Sequence, residues 1–205
     1  MEHAKGRRFL IVHGVGNHRP PGHWQYRLAE ALRVDHEVVL YPQFPDADAP
    51  QLDRWLALLH AELEQLGSGE RVVICHSLGC LLWLHHVVTA SPQQAVDRVL
   101  LVSPPSPTIL WPAIKSFATP GDLHAEHVAC AARSETRMVA STSDPYCPES
   151  ARSLYAAPLG IEIDVLPTGG HLSESDGYGP WPSVVAWCRD PTTRLTENAQ
   201  GAPPP

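Results

Sequence analysis

The sequence predicts an α/β protein in which a mostly parallel sheet is flanked by helices on both faces. Short apolar runs alternate with helix-like segments along the chain, which is the pattern of strands joined by helical crossovers. Several of these runs are hydrophobic almost throughout, as in strands buried on both faces. About six strands are predicted, near Phe9–His13, Glu37–Tyr41, Arg71–Cys75, Arg98–Val102, Arg137–Ser141 and Ile161–Leu166.

Helices are predicted between these strands. Gln51–Leu66 carries leucines and Trp55 at helical spacing and stops before Gly67, a residue that commonly ends helices. Leu78–Thr89 is apolar almost all round, which predicts a helix buried beside the central strands. Further helices are predicted near His23–Arg33, Glu149–Ala156 and Trp181–Arg189.

Two segments are predicted to lack regular structure. The stretch Pro104–Pro120 contains five prolines, and we expect an irregular excursion over the top of the sheet instead of a crossover helix. Residues 191–205 are polar and end in a run of prolines, so we expect a disordered tail. Residues 1–190 then form a single domain, which is an ordinary size for one hydrophobic core.

Composition excludes several classes of protein. The formal net charge of −7 argues against nucleic-acid binding, which needs a basic face. No apolar stretch is long enough to span a membrane, and no signal peptide is expected at the N-terminus. The five scattered cysteines form no CxxC pair, and the twelve histidines include no HExxH motif. We therefore expect free thiols, no metal, no cofactor and a cytoplasmic location.

The stretch Cys75-His76-Ser77-Leu78-Gly79 lies where a buried strand is predicted to become a buried helix. It resembles the G-x-S-x-G nucleophile elbow, a strand–turn–helix that exposes a serine above an α/β-hydrolase sheet. Gly79 matches the pattern, whereas Cys75 stands where the first glycine is usual. A structural turn serine is the alternative, but the strand and helix on either side favour a nucleophile.

A serine nucleophile needs a general base and an acid that orients it, in the chain order Ser, Asp or Glu, His on this fold. Asp144 follows the predicted strand Arg137–Ser141, and His171 follows the last strand after two glycines. Asp164 competes for the role of the acid, but it lies inside a predicted strand. We therefore predict a triad of Ser77, Asp144 and His171.

The oxyanion hole of such an enzyme uses backbone amides, one of them from the residue after the nucleophile. These considerations predict the N–H groups of Leu78 and, in the loop after the first strand, Val15. The adjacent Gly14-Val15-Gly16 is no dinucleotide fingerprint, because Arg19 occupies the position of the third glycine. His13, Trp111, Tyr146 and Trp181 are predicted to line the substrate pocket, with ordinary packing as the alternative for each.

Taken together, these motifs resemble those of the retinoblastoma-binding-protein-nine-like serine hydrolases, a small branch of the α/β-hydrolases. The resemblance covers residues 8–190, and it is carried by IVHGVGNHRPPGHWQYRL, VVICHSLGCLLWLHH, VASTSDPYCPESARSLYAAPLG and GGHLSESDGYGPWPSVVAW. It implies a compact α/β-hydrolase fold without a large cap domain, with Ser77, Asp144 and His171 at the triad positions. Family members are described as weak hydrolases of small esters or amides, and the namesake also binds protein.

The predicted function is therefore a serine hydrolase, of carboxylesterase type, acting on small apolar acyl groups through an acyl-enzyme. Its expected partner is a small-molecule ester or amide, with no nucleic acid and no membrane. The alternative is a protein-interaction module of the same fold that has weak or vestigial activity.

Overall fold

The computed structural model describes residues 6–109 and 111–198. Within them, six strands form one sheet in the order β2-β1-β3-β4-β5-β6. Every neighbouring pair of strands is parallel. The predicted parallel α/β sheet is thus confirmed. The strands are β1 (Arg7–Val12), β2 (Val38–Leu40), β3 (Glu70–His76), β4 (Val96–Val102), β5 (Ala132–Ser141) and β6 (Glu162–Leu166).

Helices cover both faces of the sheet, and the described residues include no large cap domain. On one face, α1 (Trp24–Val34) contacts α6 (Pro182–Arg189). On the other, contacts run from helix to helix through α2 (Leu52–Gln65), α3 (Leu78–Thr89), α4 (Ala125–Ala131) and α5 (Ala157–Leu159). A π-helical turn, Arg152–Ala156, leads into α5. No helix within the described residues is long and apolar enough to cross a bilayer.

The core consists of two layers, one on each side of the sheet. Because successive strand side chains point to opposite faces, Leu10 and Val12 of β1 pack with α2 and α3, whereas Phe9 and Ile11 pack with α1 and α6. The middle of β1 is fully buried. This two-sided burial explains why the strand sequences are hydrophobic without alternation.

The sequence analysis missed α4. This helix has seven residues, most of them alanine or polar, and among them Val128 and Ala131 are buried. About two turns of helix are too short for an apolar stripe to show at a period of 3.6 residues. The proline-rich stretch also contains a 3₁₀ helix, Pro112–Phe117.

The predicted disorder of the C-terminal tail is wrong for residues 191–198, which lie against the sheet edge. Leu195 is buried, and its amide donates a hydrogen bond to Asp164 at 3.0 Å. Arg194 forms ion pairs with Glu162 and Asp164 of β6. The amide of Thr168 donates to Glu197. Residues 199–205 lie outside the described part of the chain.

The strand order creates a crevice at the carboxyl ends of β1 and β3. From β1 the chain moves outward to β2, whereas from β3 it moves to β4 on the opposite side. At such a topological switch point the following loops diverge, and ligands of open α/β sheets bind in the gap. The residues after β1 and β3 are therefore where a functional site is expected.

Candidate active site

Ser77 occupies the corner between β3 and α3 in a backbone conformation that residues other than glycine rarely adopt. Its φ is 54° and its ψ is −123°, so it lies in a strained region for a residue other than glycine. The Ser77 amide donates to the carbonyl of Val102 in β4, and its own carbonyl accepts from the amide of Cys80 in α3. The strand and the helix thus hold the corner from both sides.

Two glycines leave the space that this corner needs. A Cβ on Gly79 would lie 2.9 Å from the carbonyl oxygens of both Val12 and His13, and a Cβ on Gly14 would lie 2.7 Å from the Cβ of Ser77. Cys75, which replaces the usual first glycine, is fully buried in the core between the sheet and α3. The chain accommodates its side chain there, and the elbow keeps its shape.

The structure brings the three residues of the predicted triad together. Nε2 of His171 lies 2.8 Å from Oγ of Ser77. Nδ1 of His171 lies 3.0 Å from each carboxylate oxygen of Asp144. Because the Nδ1–H group donates a hydrogen bond to the carboxylate, Nε2 carries no proton and can accept that of the serine hydroxyl. Asp144 is buried, and Oδ1 also accepts the amide of Tyr146 at 2.8 Å.

The loop that carries His171 turns sharply at the predicted glycine pair. Gly169 and Gly170 have φ values of 130° and 56°, which residues with side chains rarely adopt. The carboxylate of Asp176 fixes the loop beyond them, accepting from the amides of His171 and Ser173 at 3.0 and 3.1 Å. Sequence reasoning saw Asp176 only as part of a motif and gave it no role.

His76, also missed from the sequence, supports His171 from the strand side. Its Nε2 lies 3.0 Å from the carbonyl oxygen of His171 and donates to it, and the two rings are 5.1 Å apart. Burial lowers the pKa of His76 well below its usual value, with His171 and His23 acting in the same direction. His76 is therefore neutral at pH 7. The sequence feature that could have indicated this role is the position of His76 directly before Ser77.

Val15 and Leu78, whose amides are the predicted oxyanion donors, border the same cavity as Ser77. Leu78 is the first residue of α3, where an amide has no partner within the helix. Nδ1 of His13 donates to the carbonyl of Gly14 at 2.8 Å. Because C=O and N–H point in opposite directions across a trans peptide, the amide of Val15 points away from His13.

Two of the four predicted pocket residues do not line the cavity. His13 is fully buried beneath the loop after β1, and its Nε2 accepts the amide of Phe44 at 2.9 Å. Trp181 is buried against Trp24, and its Nε1 donates to the carbonyl of Thr196. The prediction that both line the pocket is therefore wrong: His13 supports the loops around it, and Trp181 packs in the core. Asp164, the competitor for the acid, instead pairs with Arg137 and Arg194.

A cavity of about 670 Å³ opens above Ser77. Trp111 and Tyr146 do lie along it, exposed to 40% and 42%. The Tyr146 ring stands edge-on to His171, with the centroids 4.6 Å apart. Further lining residues that sequence reasoning missed are Asn17, Pro20, His23, Pro105, Ile114, Pro145, Ser173 and Glu174.

Comparison with known families agrees with this geometry. The family described as "Serine hydrolase" matches residues 9–189. The chain belongs to the serine hydrolase family. The resemblance deduced from the sequence motifs is thereby confirmed. None of the curated proteins matches the sequence.

Solved structures share the fold of this serine hydrolase at low sequence identity. The ydeN gene product of B. subtilis aligns with a TM-score of 0.76 and 23% identity, covering 88% of this chain and 95% of that one. A putative YdeN-like hydrolase from Pectobacterium atrosepticum aligns at 0.70 and 22%, covering 90% of each chain. The esterase domain of a Rhodothermus marinus protein aligns at 0.61 and 16%, covering 92% of this chain and 89% of that one.

The tight approach at Gly79 gives a stability prediction for this serine hydrolase. Gly79→Ala places a methyl group against two backbone carbonyls that cannot move independently, so we expect the free energy of unfolding to fall by about 1–3 kcal/mol. Urea denaturation measures it. Gly121→Ala is the matched control, because a Cβ there meets nothing within 4 Å. Equal effects of the two substitutions would refute the packing argument.

The buried histidines give a pH prediction. Burial lowers the pKa of His13, His23 and His86 to about 4, and that of His76 also falls well below its usual value. Below pH 6.5 these histidines bind protons in the unfolded chain but remain unprotonated in the folded one, so the free energy of unfolding falls with falling pH. Each group contributes a slope of up to about 1.4 kcal/mol per pH unit between the two pKa values.

Urea denaturation at pH 7, 6 and 5 measures this slope. His86→Phe should reduce the slope by the contribution of one histidine, up to about 1.4 kcal/mol per pH unit. His36→Asn, which changes an exposed histidine, should leave the slope unchanged. A slope that is insensitive to His86 would contradict the prediction.

Proposed function

We propose that the protein hydrolyses carboxylic esters of small apolar acyl groups through Ser77, His171 and Asp144. The observation that supports this most strongly is the unbroken chain of hydrogen bonds from Ser77 Oγ through both ring nitrogens of His171 to Asp144. Two of these three residues, Ser77 and His171, line an open cavity. A serine held in a strained turn beside a base and a buried carboxylate is the arrangement that activates a hydroxyl.

In the proposed mechanism, His171 Nε2 takes the proton of Ser77 Oγ as the oxygen attacks the ester carbonyl. The negative oxygen of the tetrahedral intermediate accepts hydrogen bonds from the amides of Val15 and Leu78. The C–O bond to the alcohol breaks, and protonated His171 gives its proton to the departing oxygen. Water, deprotonated by His171, then attacks the acyl-enzyme. The bond between the acyl carbon and Ser77 Oγ breaks, and His171 gives its proton to that oxygen as the acid leaves.

Contacts around the cavity support an apolar acyl group. Trp111, Ile114 and Tyr146 present carbon surface to it, and large exposed aromatic side chains gain free energy when a ligand covers them. An amide follows the same steps with an amine as the leaving group, so short-chain amides are the second class to assay. We place the activity in the cytoplasm, because all five cysteines are free thiols.

One observation favours a second candidate function, a protein-interaction module with weak activity. Trp111 and Tyr146 both line the cavity and are exposed to solvent, and exposed aromatic residues are typical of protein-binding surfaces. Under this alternative the triad would be present without turnover.

A fluorophosphonate probe decides whether Ser77 is a working nucleophile. The probe phosphonylates activated serines, so the wild-type protein should be labelled and Ser77→Ala should not. Intact-protein mass spectrometry reads the added mass. Ser91→Ala, at an exposed serine outside the cavity, is the matched control and should label as the wild type does. Unlabelled wild type would favour the interaction module, and labelled Ser77→Ala would mean that another serine reacts.

The choice of Asp144 over Asp164 is tested by replacing each with asparagine. Asp144→Asn removes the charge that holds Nδ1 of His171 protonated, and we expect kcat on a p-nitrophenyl ester to fall by about 10³- to 10⁴-fold. Asp164→Asn weakens ion pairs at the sheet edge and should lower stability while sparing kcat at 25 °C. The reverse ranking would assign the acid to Asp164.

A further inference from the structure

The cavity above Ser77 has two chemically different walls. One is apolar and comes from the loops after β4 and β5, with Pro105, Trp111, Ile114 and Tyr146. The other comes from the loops after β1 and β6, and beyond Val15 and Pro20 its side chains are polar, among them Asn17, His23, Ser173 and Glu174. A substrate that fills both walls must carry unlike groups on the two sides of its carbonyl.

His23 is the polar group whose chemistry is most closely defined. It is 5% exposed, and it caps the N-terminus of α1, with Nδ1 accepting the amide of Gln25 at 3.1 Å. Burial lowers the pKa of His23 to about 4, with His13 and His171 adding to the effect, so the ring is neutral at pH 7. Since Nδ1 accepts, the single ring proton lies on Nε2.

The Nε2–H group of His23 makes no hydrogen bond within the described residues. Nor does it belong to the side-chain atoms that are sealed from solvent without a partner. His23 borders the cavity, so this nitrogen is the polar part of a buried ring that remains open to it. An N–H donor in this position is satisfied when a ligand supplies an acceptor oxygen.

Glu174 packs against Gly22, the residue before His23, and supplies an acceptor. Its carboxylate occupies the side of Gly22 where a side chain would otherwise project, within 1.8 Å of the position of a Cβ. Gly22 directly precedes His23, so the loop after β6 meets the loop after β1 at this point. A hydroxyl group can accept from an N–H donor and donate to a carboxylate, which makes it the group that suits both residues.

We propose that the polar wall is a subsite for a hydroxylated alcohol, and that the substrates are esters of a small apolar acid with a polyol such as glycerol. This inference rests on the proposed ester hydrolysis. The alcohol is assigned to this wall because the leaving oxygen must receive its proton from His171, and the chain after His171 continues directly into Ser173 and Glu174. The acyl group then lies along Trp111 and Tyr146.

The test compares two esters of the same acid, 1-monobutyrin and n-propyl butyrate, which differ by the two hydroxyl groups of the alcohol. The wild type should hydrolyse monobutyrin with a kcat/KM about tenfold higher, which corresponds to a net gain of about 1.4 kcal/mol from the hydrogen bonds to His23 and Glu174. His23→Asn keeps a side-chain oxygen that caps α1 but removes the Nε2–H donor. It should bring the ratio of the two kcat/KM values close to one.

His18→Asn is the matched control, since His18 is exposed on the same loop and does not border the cavity. It should keep the wild-type ratio. Using a ratio cancels any loss of folded protein, and fluorophosphonate labelling reports the state of the nucleophile separately. A wild-type ratio near one, or a ratio that survives in His23→Asn, would overturn the subsite while leaving ester hydrolysis intact. If neither ester is hydrolysed and no label is taken up, the proposed function fails and the subsite fails with it.

Discussion

The backbone conformation of Ser77 is the constraint on which the rest of the site depends. Holding a serine at a φ of 54° costs about 1–3 kcal/mol, and hydrogen bonds to β4 and α3 offset that cost. The turn does three things at once. It lifts Oγ to within reach of His171, it leaves the amide of Leu78 at the open start of α3, and it draws α3 close enough to β1 that Gly79 has no room for a side chain.

The parallel sheet explains how residues far apart in sequence meet at this turn. Ser77 follows β3, Asp144 follows β5 and His171 follows β6, and the carboxyl ends of parallel strands lie along one edge of the sheet. His171 is 94 residues from Ser77 in the sequence. The loop that carries it must therefore run from the outermost strand back to the end of β3. The hydrogen bonds from His76 and to Asp176 hold the loop at the end of that return. The triad therefore depends on side chains that perform no chemistry themselves.

The sequence predicted the strands correctly and singled out three residues that the structure brings into contact, Ser77, Asp144 and His171, because both features leave local signals. Buried strands appear as hydrophobic runs, and the order Ser, Asp, His is constrained by the fold. The pocket was predicted less well, because an aromatic or histidine side chain looks the same in sequence whether it faces a cavity or the core. Trp181 and Trp111 are each followed directly by a proline, yet the first is packed on Trp24 and the second is exposed. The tail was mispredicted because Leu195 is a single apolar residue whose partners lie far away in the chain.

The buried histidines near His171 are uncharged, and this neutrality matters for His171. His76 lies 5.1 Å from His171, and a positive charge at that distance would oppose protonation of His171 by about 3 kcal/mol at an effective dielectric constant of 20. Burial lowers the pKa values of His13, His23 and His76, so all three remain neutral at pH 7. They can donate or accept hydrogen bonds that fix a loop or meet a substrate, without repelling the imidazolium that His171 forms in the proposed mechanism. Replacing His76 with lysine or arginine would keep a donor but add that repulsion, which is why a buried, uncharged ring suits the position before the nucleophile.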